Sequence, residues 1–102
     1  MKLFQTRQIR EAWAYAMADG QALHLMTGQW ARCMTGPTCF RNASEFAHLF
    51  DQNADRLRET AVSLGVKVIV VSKPGTESQH VDLCGAPLKR AKAMCQEAAR
   101  LW

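Results

Sequence analysis

The chain lacks any apolar run of the ~18–20 residues that cross a bilayer. Its longest β-branched run, Val66 to Val71, is six residues and includes Lys67. The first residues, Met1-Lys2-Leu3-Phe4-Gln5-Thr6-Arg7-Gln8, contain no apolar core of a secretory signal. No membrane partner is therefore expected and a cytoplasmic location is. Cys33, Cys39, Cys84 and Cys95 are then expected as thiols in a reducing compartment, although four cysteines would allow two disulfides in a secreted chain. Charge of one sign is not abundant. Thirteen Lys and Arg against nine Asp and Glu leave +4, a mild bias, less than dedicated nucleic-acid readers carry, that leaves room for an anionic partner. There is no Gly-rich phosphate loop, no Gly-x-Ser-x-Gly and no His-Glu-x-x-His. Cys33-x5-Cys39 and His80-x3-Cys84 could supply four zinc ligands, but neither has the tight spacing of common structural sites. No metal and no cofactor is expected on that basis.

What is present is a foldable composition. At 102 residues, 48% hydrophobic and 22% charged, the chain suits one globular domain, residues 1–102, without repeat or linker. Lys2 to Gln5 reads as a first strand. Thr6 is a candidate N-cap for a helix in which Ile9, Ala12, Trp13, Ala16 and Met17 recur at helical spacing, with Gly20 as its C′ stop. Gln21 to Thr27 alternates, Leu23 and Leu25 against His24 and Met26. Gly28 to Asn42 is a loop or a strand pair around Arg32–Met34 and Thr38–Arg41. Phe46, Leu49 and Phe50 fit the i, i+3, i+4 spacing of a short helix, and His48 lies inside that apolar patch. Asp51 or Asn53 can cap a helix carrying Leu57, Ala61 and Leu64, ended by Gly65. Val66 to Val71 after a helix and glycine has the composition of a buried parallel strand, making 53–83 a βαβ-type unit. Lys73-Pro74-Gly75 suits a type II turn, His80 to Leu83 a short strand. A last helix has Pro87 near N1 and a stripe of Leu88, Ala91, Cys95, Ala98 and Trp102, widened by Met94 and Leu101. The expected fold is α/β: about three helices on a short, mostly parallel sheet.

Two charge patterns single out candidate functional residues. Helix N-termini favour Asp and Glu by roughly 0.3–1 kcal/mol, yet the last helix opens Pro87-Leu88-Lys89-Arg90, with Lys92 behind, and the first opens Thr6-Arg7-Gln8-Ile9-Arg10. Either these long side chains lie on a solvated face, or an anion sits between them and the free N–H groups. Lys89, Arg90 and Lys73 are the anion-binding candidates. Second, His80-Val81-Asp82 has the i, i+2 spacing that puts both polar side chains on one face of a strand. A carboxylate beside an imidazole suits acid–base chemistry, and equally a local hydrogen bond that fixes a loop. His80, Asp82 and His48 are the catalytic candidates, the first two placed with Ser72 and Lys73 beyond the carboxyl end of the expected strand.

The second half resembles a small bacterial and phage domain family of unknown function. The family pattern is a His-Leu or His-Met pair followed by Asp, a helix ending in Gly, an apolar strand, His-Tyr-Asp-Leu and a Lys-Arg-x-x-Ala helix. The matching residues are His48-Leu49-Phe50-Asp51, then Leu57, Ala61 and Gly65, then Val66 to Val71, then His80, Asp82 and Leu83, then Lys89, Arg90 and Ala93. Val81 stands where the family has Tyr, and Arg58 where it tends to have His. The resemblance implies that His48, His80, Asp82, Lys89 and Arg90 are shared polar positions, and it carries no established activity.

Three functions follow as expectations. The first is binding of a phosphate-bearing ligand, nucleic acid or nucleotide, by Lys89, Arg90, Lys73, Arg41 and Arg7, with Trp30 or Phe40 stacking on a base. The second is a phage- or prophage-type interaction module without catalysis, with a host protein as partner. The third is a small His/Asp hydrolase acting on a phosphoester, which requires His48 and His80 to converge in one cleft.

Overall fold

The computed structural model describes residues 1–27 and 45–100. These form one compact α/β domain with four strands and three α-helices: β1 (Lys2–Phe4), a 3-10 turn (Thr6–Gln8), α1 (Ile9–Met17), β2 (Ala22–Thr27), β3 (Glu45–Phe50), α2 (Ala54–Ser63), β4 (His80–Leu83) and α3 (Gly85–Arg100). The strands lie in the order β1-β2-β3-β4. Only β1 and β2 run parallel, joined by the α1 crossover, while β2–β3 and β3–β4 are antiparallel. The sheet is therefore mixed, not mostly parallel. The loop or strand pair expected over 28–42, and the helical positions Leu101 and Trp102, lie outside the described residues.

Period-2 alternation divides the sheet into two faces. Leu23, Leu25, Ala47, Leu49, Val81 and Leu83 point to one side, where they pack with Leu57 and Ala61 of α2, with Leu64 at its C-cap, and with Leu88, Ala91 and Cys95 of α3. Phe4, Ala22 and Phe50 point to the other, against Ala12 and Ala16 of α1 with Ile9 and Trp13. The first cluster is the larger core. Its leucines at 23, 49 and 57 are fully buried, and truncating such a side chain to Ala costs about 2–5 kcal/mol.

Four local expectations are corrected. Phe46, Leu49 and Phe50 lie on a strand, so Phe46 and Phe50 share one face and Leu49 takes the other. Val66 to Val71 is not a strand, and 53–83 is not a βαβ unit. Val66, Ile69 and Val71 touch the main core, but Val68 and Val70 are 80% and 64% exposed. Only Ser72 reaches β4, exchanging backbone bonds of 2.8 and 3.1 Å with His80. β-branched composition reports one half-buried side here, and the ladder partner it suggested is absent among the described residues. Thr6 lies inside the 3-10 turn, where its hydroxyl donates to the Leu25 carbonyl at 2.9 Å, so it is no cap. Finally, the left-handed residue that ends α1 is Asp19, φ +69°, and not Gly20.

Other boundaries follow local chemistry. Asn53 caps α2, its side-chain oxygen accepting from the Arg56 amide at 3.0 Å. Gly65, at φ +87°, takes the left-handed conformation that ends the same helix. The Thr76 amide donates to the Lys73 carbonyl at 3.3 Å, and Gly75 has the φ of +81° that a type II turn requires.

Candidate functional site

The sheet register assembles the site. Across the four strands Phe4, His24, His48 and Asp82 are successive partners, and in the next row Ala22, Phe50 and His80. Directly paired residues of neighbouring strands project to the same face. All three histidines of the chain thus gather with one carboxylate on the α1 side of the sheet, where β2, β3 and β4 run side by side.

Asp82 is the hub. Its Oδ1 lies 2.8 Å from His48 Nδ1 and 3.3 Å from His80 Nε2. The two imidazoles meet edge to face with centroids 4.5 Å apart. Phe50 backs them, its ring 5.5 Å from each, and Phe46 stands edge-on to His48 at 5.3 Å. His24 stacks on the far side of His48, with ring planes 7° apart at 5.8 Å. The side chains of His80, His48 and Asp82 are 9%, 20% and 28% exposed, so the cluster opens to solvent at the carboxylate.

Hydrogen-bond chemistry determines the tautomers. An ionised carboxylate only accepts, so His48 donates through Nδ1–H, which leaves Nε2 as the acceptor of the neutral ring. The His80 Nδ1 lies 2.6 Å from the Ser78 carbonyl, which also only accepts, so that nitrogen carries a proton as well. His24 donates through Nε2–H to the Thr6 carbonyl at 2.9 Å, and its buried Nδ1 has no partner. Burial by itself would raise the Asp82 carboxyl. The hydrogen bonds from His48 and His80, together with their charge, outweigh it and hold the carboxyl well below the usual carboxylate range. Burial pushes His24 down, and His48 adds to this against the opposing Thr6 bond, so its ring is neutral at pH 7.

The candidate residues separate into two groups. His48, His80 and Asp82 come together, and each offers a ligand atom within 4.8 Å of the others. The cations do not join them through any contact among the described residues. Arg90 donates through Nη1 to the Leu64 carbonyl at 2.8 Å, serving the C-terminus of α2 on the opposite side of the sheet. Lys89 is exposed on α3, and Lys73 is exposed in the 73–76 turn at φ +51°. Lys92 pairs with Glu45. Val66–Val71 forms no strand, so the cluster lies not beyond a strand's carboxyl end but on the sheet face. Arg7 is exposed in the 3-10 turn. Arg41, Trp30 and Phe40 fall outside the described residues.

The sequence gives His24 no candidate role beyond that of a hydrogen-bonded core residue, its place in the alternation of Ala22–Thr27 being its only signal. It also passes over a buried ion pair. Asp51, fully buried, accepts from Arg56 Nε at 2.8 Å and Nη2 at 2.7 Å, from the Asn53 amide at 2.9 Å and from Gln21 at 2.9 Å. Cys84 is disulfide-bonded, which corrects the expectation of a free thiol there and removes it as a zinc ligand with His80, while Cys33 and Cys39 are outside the described residues. Cys95 is a buried free thiol whose pKa burial pushes up. A cavity of about 890 Å³ opens elsewhere, lined by Met1, Leu3, Tyr15, Cys95 and Ala98, and it contains none of the clustered histidines. No helix among the described residues is long and apolar enough to cross a membrane. Comparison with protein-family models, with curated proteins and with solved structures finds no match.

Proposed function

We propose that this protein is a small hydrolase acting on a phosphoester, with His48, His80 and Asp82 as its reactive centre. One observation carries the reading: two imidazoles share a single carboxylate oxygen, at 2.8 and 3.3 Å, within reach of one small substrate. Asp82 holds the His48 ring through Nδ1 and leaves Nε2 free to take a proton from an attacking water. His80, when it carries a second proton, can return one to the leaving oxygen. The net charge of +4 favours an anionic substrate. Binding of a phosphate-bearing ligand through Lys89, Arg90 and Lys73 has less support, since Arg90 is engaged with Leu64.

The test is turnover of bis(p-nitrophenyl) phosphate and p-nitrophenyl phosphate by the full chain, with p-nitrophenyl acetate as a carboxylic-ester control. Removing one essential acid–base group typically costs ~10²–10⁴ in rate. His48→Ala and Asp82→Asn are therefore expected to lose at least a hundredfold in kcat on one of the phosphoesters. Equal rates in Asp82→Asn and the unsubstituted chain, or none above buffer, would overturn the proposal.

A further inference from the structure

We infer that His48, His80 and Asp82 bind one divalent first-row transition-metal ion, of the zinc or iron(II) class, leaving coordination positions open for water and substrate. Two imidazoles and one carboxylate are the donor set such ions take with open positions. A hard ion such as magnesium or calcium would demand more oxygen donors than the three residues offer. Around an ion with bonds of about 2.0–2.2 Å, tetrahedral donors stand about 3.3–3.6 Å apart. His80 Nε2 and Asp82 Oδ1 are already 3.3 Å apart, and all three residues offer a donor within 4.8 Å of the others, so side-chain rotation on one sheet face completes the set.

An independent feature points the same way. The Ser78 carbonyl, 2.6 Å away, takes the His80 Nδ1–H. A backbone carbonyl on the far nitrogen is the outer partner by which ligating imidazoles are held in orientation. His48, His80 and Asp82 all lie on paired strands, which gives the donor set a rigid frame, and Asp82 is open enough for an ion to enter.

The inference rests on the reading of this cluster as the reactive centre and deepens it. A bound ion would activate the water, and the imidazoles would act as ligands in place of proton carriers. The test uses the full chain, treated with chelator and then titrated with Zn(II) by calorimetry and with Co(II) by absorption. One equivalent should bind, with the visible bands of a nitrogen- and oxygen-ligated cobalt ion and no sulfur charge-transfer band. Zn(II) should shift the ring resonances of His48 and His80 in the unsubstituted protein, a readout that needs no variant. Loss of an outer partner alone costs 10–100-fold in affinity, so His80→Ala and Asp82→Ala, checked for folding by circular dichroism, should lose about a hundredfold or more. Lys89→Ala should bind as the unsubstituted chain does. Absence of stoichiometric binding, sulfur ligation, or undiminished affinity in both ligand variants would overturn the inference. Phosphoester turnover that survives in a chain binding no ion would remove the metal and keep the hydrolase. Binding without turnover would do the reverse.

Discussion

Asp51→Asn is expected to cost this fold about 3 kcal/mol. The Asp51 carboxylate is fully buried and accepts four hydrogen bonds: two from Arg56, one from the Asn53 amide and one from Gln21. Those donors tie the start of α2 to the turn before β2, and Arg56 reaches on to the Asp19 carbonyl at 3.0 Å. An asparagine in the same place replaces one oxygen with an N–H₂ group. Either orientation then sets that donor against two others and leaves the guanidinium without its buried counter-charge. Removing one partner of a buried ion pair costs about 3–5 kcal/mol. Arg56 is 34% exposed, so water recovers part of the loss, which places the effect at the lower end of that range. Each kcal/mol moves Tm by roughly 4–8 °C in a domain of this size, so the midpoint should fall by about 12–24 °C. Arg56→Lys keeps the charge but not the two-pronged geometry, and should lose less. Thermal and urea unfolding followed by circular dichroism measure both. A loss under about 1 kcal/mol for Asp51→Asn would refute the claim that this pair anchors α2.

Three further outcomes are expected. Burial acts to raise the Asp51 carboxyl, but bonds from Arg56, Asn53 and Gln21 hold it below its ordinary value. The unfolded chain therefore binds more protons below about pH 4, and the stability from Asp51, complete above that pH, is lost as acid lowers pH toward the folded value. Urea midpoints between pH 5 and 2 should fall less steeply in Asp51→Asn than in the unsubstituted chain. Val68→Ser and Val70→Ser should change stability by no more than about 0.5 kcal/mol, because both side chains are mostly exposed. Losses of about 1.5–3 kcal/mol in denaturant titrations would instead indicate the buried strand their composition suggests. Arg90→Ala should cost about 1 kcal/mol through the lost bond to the Leu64 carbonyl and leave phosphoester turnover unchanged. A tenfold drop in kcat/KM would return Arg90 to the anion site.

Legibility followed the range of the forces involved. His80 and Asp82 could be read as one face of a strand because an i, i+2 spacing is local. That His48 faces them could not, because it depends on the pairing of β3 with β4, and Phe46, Leu49 and Phe50 mimic a helical stripe just where that strand runs. Arg90 looked misplaced at a helix start because its partner is the end of a different helix, where a cation is favoured. Val66 to Val71 shows the opposite failure. Its composition reports apolar contact, and Val66, Ile69 and Val71 do touch the core, but composition contains no information about a hydrogen-bonding neighbour. Helix α2 was legible in extent because its period, the Asn53 cap and the Gly65 terminator coincide within one segment, whereas α1 was legible in period alone.

The pairing of His48 with Asp82 in the β3–β4 ladder sets where this chain can gain or lose residues. A one-residue deletion inside β4 would rotate every following side chain of the strand by half a period, sending Asp82 toward the leucines and breaking the cluster outright. The exposed 73–77 bend tolerates such changes better, whereas Ser78, whose carbonyl holds the His80 ring, must keep its place. Length variation among descendants of this sequence should therefore collect in that bend, while the spacing from His80 to Asp82 stays constant.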